Sequence, residues 1–166
     1  MARQSNTNIN TIGRSKITTP SIEVNQDDGS LLLSLVQGEE INYDFIYSWL
    51  TSTDTTGVSS TMVIVEGNNT GNPGTPPSVT LDGGKVISLP MTYQADTSPQ
   101  SWRVKLPADL SSSATTALTD WTTQPNPGRP VYAFFGVEVA DGNQILKPVR
   151  GLIEIVYSPT EATATT

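Results

Sequence analysis

The sequence predicts an all-β domain, an antiparallel β-sandwich of about 8 strands behind an extended N-terminal arm. Three observations carry that expectation. Residues 131–139 alternate strictly, with Val131, Ala133, Phe135, Val137 and Val139 on one side, the mark of a strand with one buried face. Residues 41–50 repeat the pattern, with Ile41, Tyr43, Phe45, Tyr47 and Trp49 on one face and Asn42, Asp44 and Ser48 on the other. Turn formers are frequent (13 Gly and 12 Pro) while charged residues are only 15%, a mixture that suits short strands joined by many loops.

The elements follow in order. Residues 1–30 read as the arm: polar, with isolated apolar residues at Ile9, Ile12, Ile17, Ile22 and Val24 and no helical period. Residues 1–22 hold Arg3, Arg14 and Lys16 and no acid, whereas the remainder carries six bases and all sixteen acids, a net charge of −10. Sparse isoleucines and one sign of charge suit a segment that orders against a partner. A terminus without a role is the common alternative.

The sandwich is expected over residues 31–160. A strand at 31–36 leads through Gln37-Gly38-Glu39-Glu40 into the long strand at 41–50. Another strand at 61–66 precedes the loop 67–78, whose three Pro and three Gly rule out a regular element. Residues 79–81 and 85–89 read as a hairpin around Asp82-Gly83-Gly84. Strands at 91–95 and 101–106 follow, the second with Trp102, Val104 and Leu106 on one face. Residues 107–126 read as a short helix or a long loop. The chain closes on a hairpin over 130–160, turned at Asp141-Gly142 and stopped at Pro159; residues 161–166 form a flexible tail. This number and spacing of strands favour an immunoglobulin-like sandwich over a barrel.

The same residues exclude much chemistry. The chain has no His and no Cys, so it lacks the commonest general base, the commonest transition-metal ligand and any disulfide framework. Gly83-Gly84-Lys85 is followed by Val86 and by no helical pattern, which a phosphate loop requires. Asp27-Asp28-Gly29 and Glu39-Glu40 lack the ligand spacing of a calcium loop. Serines are plentiful, but no G-x-S-x-G or S-x-x-K motif activates one. The reading is therefore not an enzyme, with no catalytic residue, no metal and no cofactor. An acidic body argues against nucleic acid. No apolar run reaches the length of a membrane span and no leader pattern opens the chain, so the protein is expected to be made and kept in a cytoplasm unless it leaves as part of something larger.

One pattern points to a partner. If Phe135, Val137, Ile153, Ile155 and Tyr157 face the core, then Tyr132, Phe134, Leu152 and Val156 face outward. An apolar set of that size is unusual on a lone monomer. It is covered either by the chain's own arm or 107–126 segment, or by another protein. The candidate contact residues are these four together with Arg3, Ile9, Ile12, Arg14, Lys16 and Ile17 of the arm.

Two stretches carry a family resemblance. One is LLLSLVQGEEINYDFIYSWL at 31–50, a strand, a Gly-acid turn and a long amphipathic strand. The other is the finish, with Val137-Glu138-Val139, Asp141-Gly142, Arg150-Gly151 and Pro159-Thr160. Together they resemble the small immunoglobulin-like domains of tailed-bacteriophage virion proteins, such as the N-terminal domains of upper baseplate proteins. The resemblance implies a non-enzymatic virion component, a capsid decoration protein or a tail or baseplate adaptor. Its implied partners are other virion proteins (major capsid, tail or baseplate subunits), in many copies or as a homo-oligomer. A loop-borne module for carbohydrate or a host surface is the alternative, with Trp121 its clearest loop aromatic.

Overall fold

A computed structural model describes residues 21–24, 30–47, 55–68, 78–79, 86–110, 130–142 and 144–158. Among these residues the chain is all-β, two sheets packed face to face with a single 3-10 turn at Ala108–Leu110. The strands are β1 (Ser21–Val24), β2 (Ser30–Val36), β3 (Ile41–Tyr47), β4 (Val58–Asn68), β5 (Ser78–Val79), β6 (Val86–Pro90), β7 (Thr92–Gln94), β8 (Ser101–Leu106), β9 (Val131–Asp141) and β10 (Gln144–Val156).

The smaller sheet runs β1-β3-β8-β7 and the larger β2-β10-β9-β4, with β5 and β6 both pairing β4. With β3, β8 and β7 as strands B, E and D, and β10, β9, β4 and β6 as G, F, C and C′, this is the strand order of a variable-type immunoglobulin domain. The fold is thus an immunoglobulin-like β-sandwich. β2 adds in parallel to β10 at the end of the larger sheet, and β1 adds in parallel to β3 at the end of the smaller one.

The alternation read from the sequence decides what goes inside. Leu31, Leu33 and Leu35 of β2, Met62 and Ile64 of β4, all five odd-numbered residues 131–139 of β9, and Ile153 and Ile155 of β10 are buried. They face Ile22, Val24, Ile41, Tyr43, Phe45, Tyr47, Trp102, Val104 and Leu106 from the smaller sheet. Two buried tyrosines tie the sheets together by their polar tips. Tyr43 Oη donates to the Ser34 carbonyl at 2.8 Å, and Tyr47 Oη lies 2.7 Å from Ser60 Oγ. Buried hydroxyls need such partners. Burial is the larger influence on Tyr47, pushing its phenol well up, with the Ser60 contact offsetting it in part.

Several particulars differ from the sequence reading. Among the described residues there are ten strands where about 8 were expected. The sandwich begins at Ser21, inside the stretch read as arm, because Ile22 and Val24 insert into the core at 1% exposure while β1 bonds to β3. The turn of the hairpin expected between 79–81 and 85–89, Asp82-Gly83-Gly84, lies outside the described residues. Of the flanking residues that are described, β6 pairs β4 over Thr61–Val65 and β5 pairs it at Gly67–Asn68, so the eleven-residue β4 takes both. β3 is described to Tyr47; the remainder of the expected strand, with Trp49, lies outside the described residues, as do 111–129 and the tail.

The closing hairpin forms, with its second strand, expected over 150–157, starting six residues earlier at Gln144. β9 ends at Asp141, Gly142 takes φ +56, and β10 begins at Gln144. β10 pairs β9 along its length, with a bulge between Leu146 and Val149. Buried Pro148 sits in that bulge, where a missing N–H costs no ladder bond. Gly151 is required where it stands: a Cβ there would collide with the Leu31 carbonyl of β2 and come within 2.8 Å of Leu31 N.

Candidate functional site

The outward face of the larger sheet is the surface that calls for an explanation. Strand register aligns its residues in rows across the strands. Leu152 of β10 stands beside Leu32 of β2 on one side and Phe134 of β9 on the other. Phe134 stands beside Val65 of β4, and Val65 beside Val86 of β6. One apolar row therefore crosses five of the six strands: Leu32, Leu152, Phe134, Val65, Val86. Leu32 is 42% exposed and Val86 62%, while Leu152, Phe134 and Val65 are half-buried. Val156, farther along β10, is exposed as well.

The rows on either side differ from it and from each other. Two residues earlier on β10 is the level of Ser30, Arg150, Gly136, Val63 and Ser88. Two residues later is the level of Ser34, Glu154 and Tyr132. Gly136 has no side chain in the middle of a sheet, and it lies among the residues lining a hollow of about 420 Å3. Val63, Val65, Phe134, Glu138, Lys147 and Arg150 line its sides. Lys147 pairs with Glu138 at 3.1 Å on the rim, both side chains well exposed.

Charge is arranged asymmetrically around the apolar row. Arg150 on one side is exposed and has no ion-pair partner among the described residues. Glu154 on the other is held in place by two neighbours, accepting from Ser34 Oγ at 3.4 Å and from Tyr132 Oη at 3.2 Å. Partial burial, followed by the adjoining Glu154 carboxylate, pushes the Tyr132 phenol up and keeps it a donor.

The structure thus brings together four of the ten residues read from sequence as contacts: Tyr132, Phe134, Leu152 and Val156. The other six, Arg3, Ile9, Ile12, Arg14, Lys16 and Ile17, lie outside the described residues, as does Trp121. Leu32, Val65, Val86, Gly136, Arg150 and Glu154 were missed. Leu31-Leu32-Leu33 does not alternate, so nothing in it marks the middle leucine as outward. Gly136 was the available signal, since a glycine inside a strand often marks close approach by another surface.

Other polar groupings are structural. Arg103 Nε and Nη2 donate to the two Asp44 oxygens at 2.8 and 2.9 Å across β3 and β8. That bidentate hydrogen bond, opposed by some burial, holds the Arg103 guanidinium above its usual range. Ser60 Oγ reaches Met91 Sδ at 3.1 Å next to Tyr47. Among the described residues no group of three His, Cys, Asp or Glu could hold a metal ion, and no helix is long and apolar enough to cross a membrane.

Scanned against known protein families the chain matches none, and no curated protein sequence matches it. Solved structures of similar shape do exist. The extracellular fragment of novel immune-type receptor 11 from Ictalurus punctatus, including its stalk region, aligns with 84% of this chain and 93% of its own at TM-score 0.33 and 7% identity. The corresponding fragment of novel immune-type receptor 10 from the same organism aligns with 74% and 94% at TM-score 0.30 and 9% identity. The bradyzoite-specific antigen BSR4 from Toxoplasma gondii aligns with 92% of this chain and 50% of its own at TM-score 0.32 and 10% identity. At these levels the likeness transfers no role. The fold assignment stands on strand order and register.

Proposed function

We propose that this chain is a non-enzymatic structural block of a tailed-phage particle, a decoration or adaptor protein that docks on neighbouring subunits through the outer face of its larger sheet. The observation that carries the docking reading is the apolar row from Leu32 to Val86, open on a face that strand order leaves without a covering layer among the described residues. Burying a large aliphatic or aromatic side chain is worth about 1.5–3 kcal/mol. A row of five, partly in water, leaves much of that unrealised until another surface covers it. The phage setting is supported by the resemblance of residues 31–50 and of the closing hairpin to virion sandwich domains. The absence of His and Cys leaves no ready nucleophile–base pair.

Phe134→Glu is the test. Its side chain lies in the row and outside the core, so the isolated variant is expected to melt within a few degrees of wild type while its incorporation into particles is lost. A collapse of melting would return Phe134 to the core. Normal incorporation at unchanged melting would remove the docking reading.

A further inference from the structure

We infer that the occupant of this face is a second copy of the same chain, seated face to face about a two-fold axis that runs along the apolar row, across the strands. The inference rests on the docking reading and adds the partner and its orientation. A face that meets its own copy must complement itself, and this one does so in shape and in charge.

A two-fold axis along the row keeps each residue's position along the row and reverses the strand direction. Leu32, Leu152, Phe134, Val65 and Val86 then meet the same row of the second copy, which buries apolar surface against apolar surface. The level of Arg150 falls opposite the level of Glu154. These two residues lie four apart on β10, about 13 Å at strand rise, with Leu152 midway. Each Arg150, without an ion-pair partner among the described residues, faces a Glu154 already oriented by Ser34 and Tyr132. Two such pairs form, one on each side of the axis.

Shape follows the same operation. Gly136 shares the level of Arg150, and Tyr132 shares the level of Glu154, both on β9. Tyr132 of each copy therefore stands opposite the Gly136 hollow of the other. At about 420 Å3 the hollow has room for an aromatic ring. Sheets pack about 10 Å apart, a separation that lets side chains from the two faces interdigitate. An axis parallel to the strands fails on both counts. It would set the Arg150 level on the Arg150 level, the Glu154 level on the Glu154 level, and leave each hollow opposite another hollow. Charge and shape select the same axis independently.

Sedimentation equilibrium on the full chain tests this with Arg150→Glu, Glu154→Arg, the double reversal and Gly136→Val. Wild type is expected to be a dimer. Each single reversal sets like charges face to face and should raise the dimer dissociation constant about tenfold or more. The double reversal re-creates both pairs with their signs exchanged and should return to within about threefold of wild type. Gly136→Val fills the hollow, and its Cβ meets nothing nearer than the Val149 carbonyl at 3.7 Å, so it should weaken the dimer without unfolding the chain. Melting temperatures that agree across the set at a concentration where every chain is monomeric show that the fold is intact. A monomeric wild type, or a double reversal as weak as the singles, overturns the inference. If wild type is monomeric and Phe134→Glu still blocks incorporation, the dimer is wrong and the docking reading stands. A rescued charge-swap dimer beside normal incorporation of Phe134→Glu would remove the docking reading and keep the dimer.

Discussion

The outer faces of the two sheets are built from the same alternation and end in opposite chemistry. On the smaller sheet the outward residues of β3, β8 and β7 include Asn42, Asp44, Arg103, Lys105, Thr92 and Gln94. Asp44 and Arg103 are clamped together, and Lys105 Nζ lies 2.9 Å from Glu40 Oε1. On the larger sheet the middle row of the outer face is two leucines, a phenylalanine and two valines, between flanking rows that carry Arg150 and Glu154. A sheet face that stays in water needs polar side chains that satisfy one another or the solvent. The smaller sheet meets that need and the larger one does not. On the proposed docking reading, the difference separates a side of the sandwich that faces water from one that another surface covers.

The largest effect should come from breaking the end of the larger sheet. Gly151→Ala drives a methyl group into the Leu31 backbone, so β2 can no longer lie against β10. A loss of about 3 kcal/mol or more is expected, read as a lower midpoint in urea unfolding with native assembly gone as well. If the variant keeps wild-type stability, the parallel β2–β10 pairing is not the one described.

A smaller effect sharpens the contrast between the faces. Asp44→Ala leaves the Arg103 guanidinium, one-third exposed, without its bidentate partner. It should cost about 1–2 kcal/mol, reduced by the solvent that Arg103 can still reach. Leu152→Ser, on the other face, should cost less in the isolated chain and more in assembly. Chemical denaturation of the two variants, followed by an association assay on each, checks both halves. Equal losses in both assays would mean that the faces do not differ in role.

Much of this contrast was legible in the sequence, and particular residues show why the rest was not. The strict alternation of 131–139 located the inner and outer faces of β9, and with them Tyr132 and Phe134 on the outside, because a period of two has only one way to meet a core. The Asp141-Gly142 turn fixed the hairpin because its signal is local. β1 was hidden: two apolar residues, Ile22 and Val24, are too few to display a period, and only the distant β3 gives them a place. The long neighbour β4, which takes both β5 and β6, was not visible from their local pattern, because the partner of a short strand lies elsewhere in the sequence. The apolar row itself joins residues from 32 to 152, and the Asp44–Arg103 clamp spans 59 positions. Register between strands decides such sets, and a single strand's pattern does not contain it.

The central claim is that the outer face of the larger sheet is covered in the working protein while that of the smaller sheet faces water. The chain has no cysteine, so a single introduced thiol reports on one position alone. Leu152→Cys and Lys105→Cys, each labelled with a maleimide across a dilution series and in assembled particles, compare the two faces directly. The thiol at position 152 should react progressively more slowly as concentration rises and be protected in the particle, while the thiol at 105 should label at one fast rate throughout. Equal and concentration-independent labelling at both positions, in solution and in the particle, would contradict the claim.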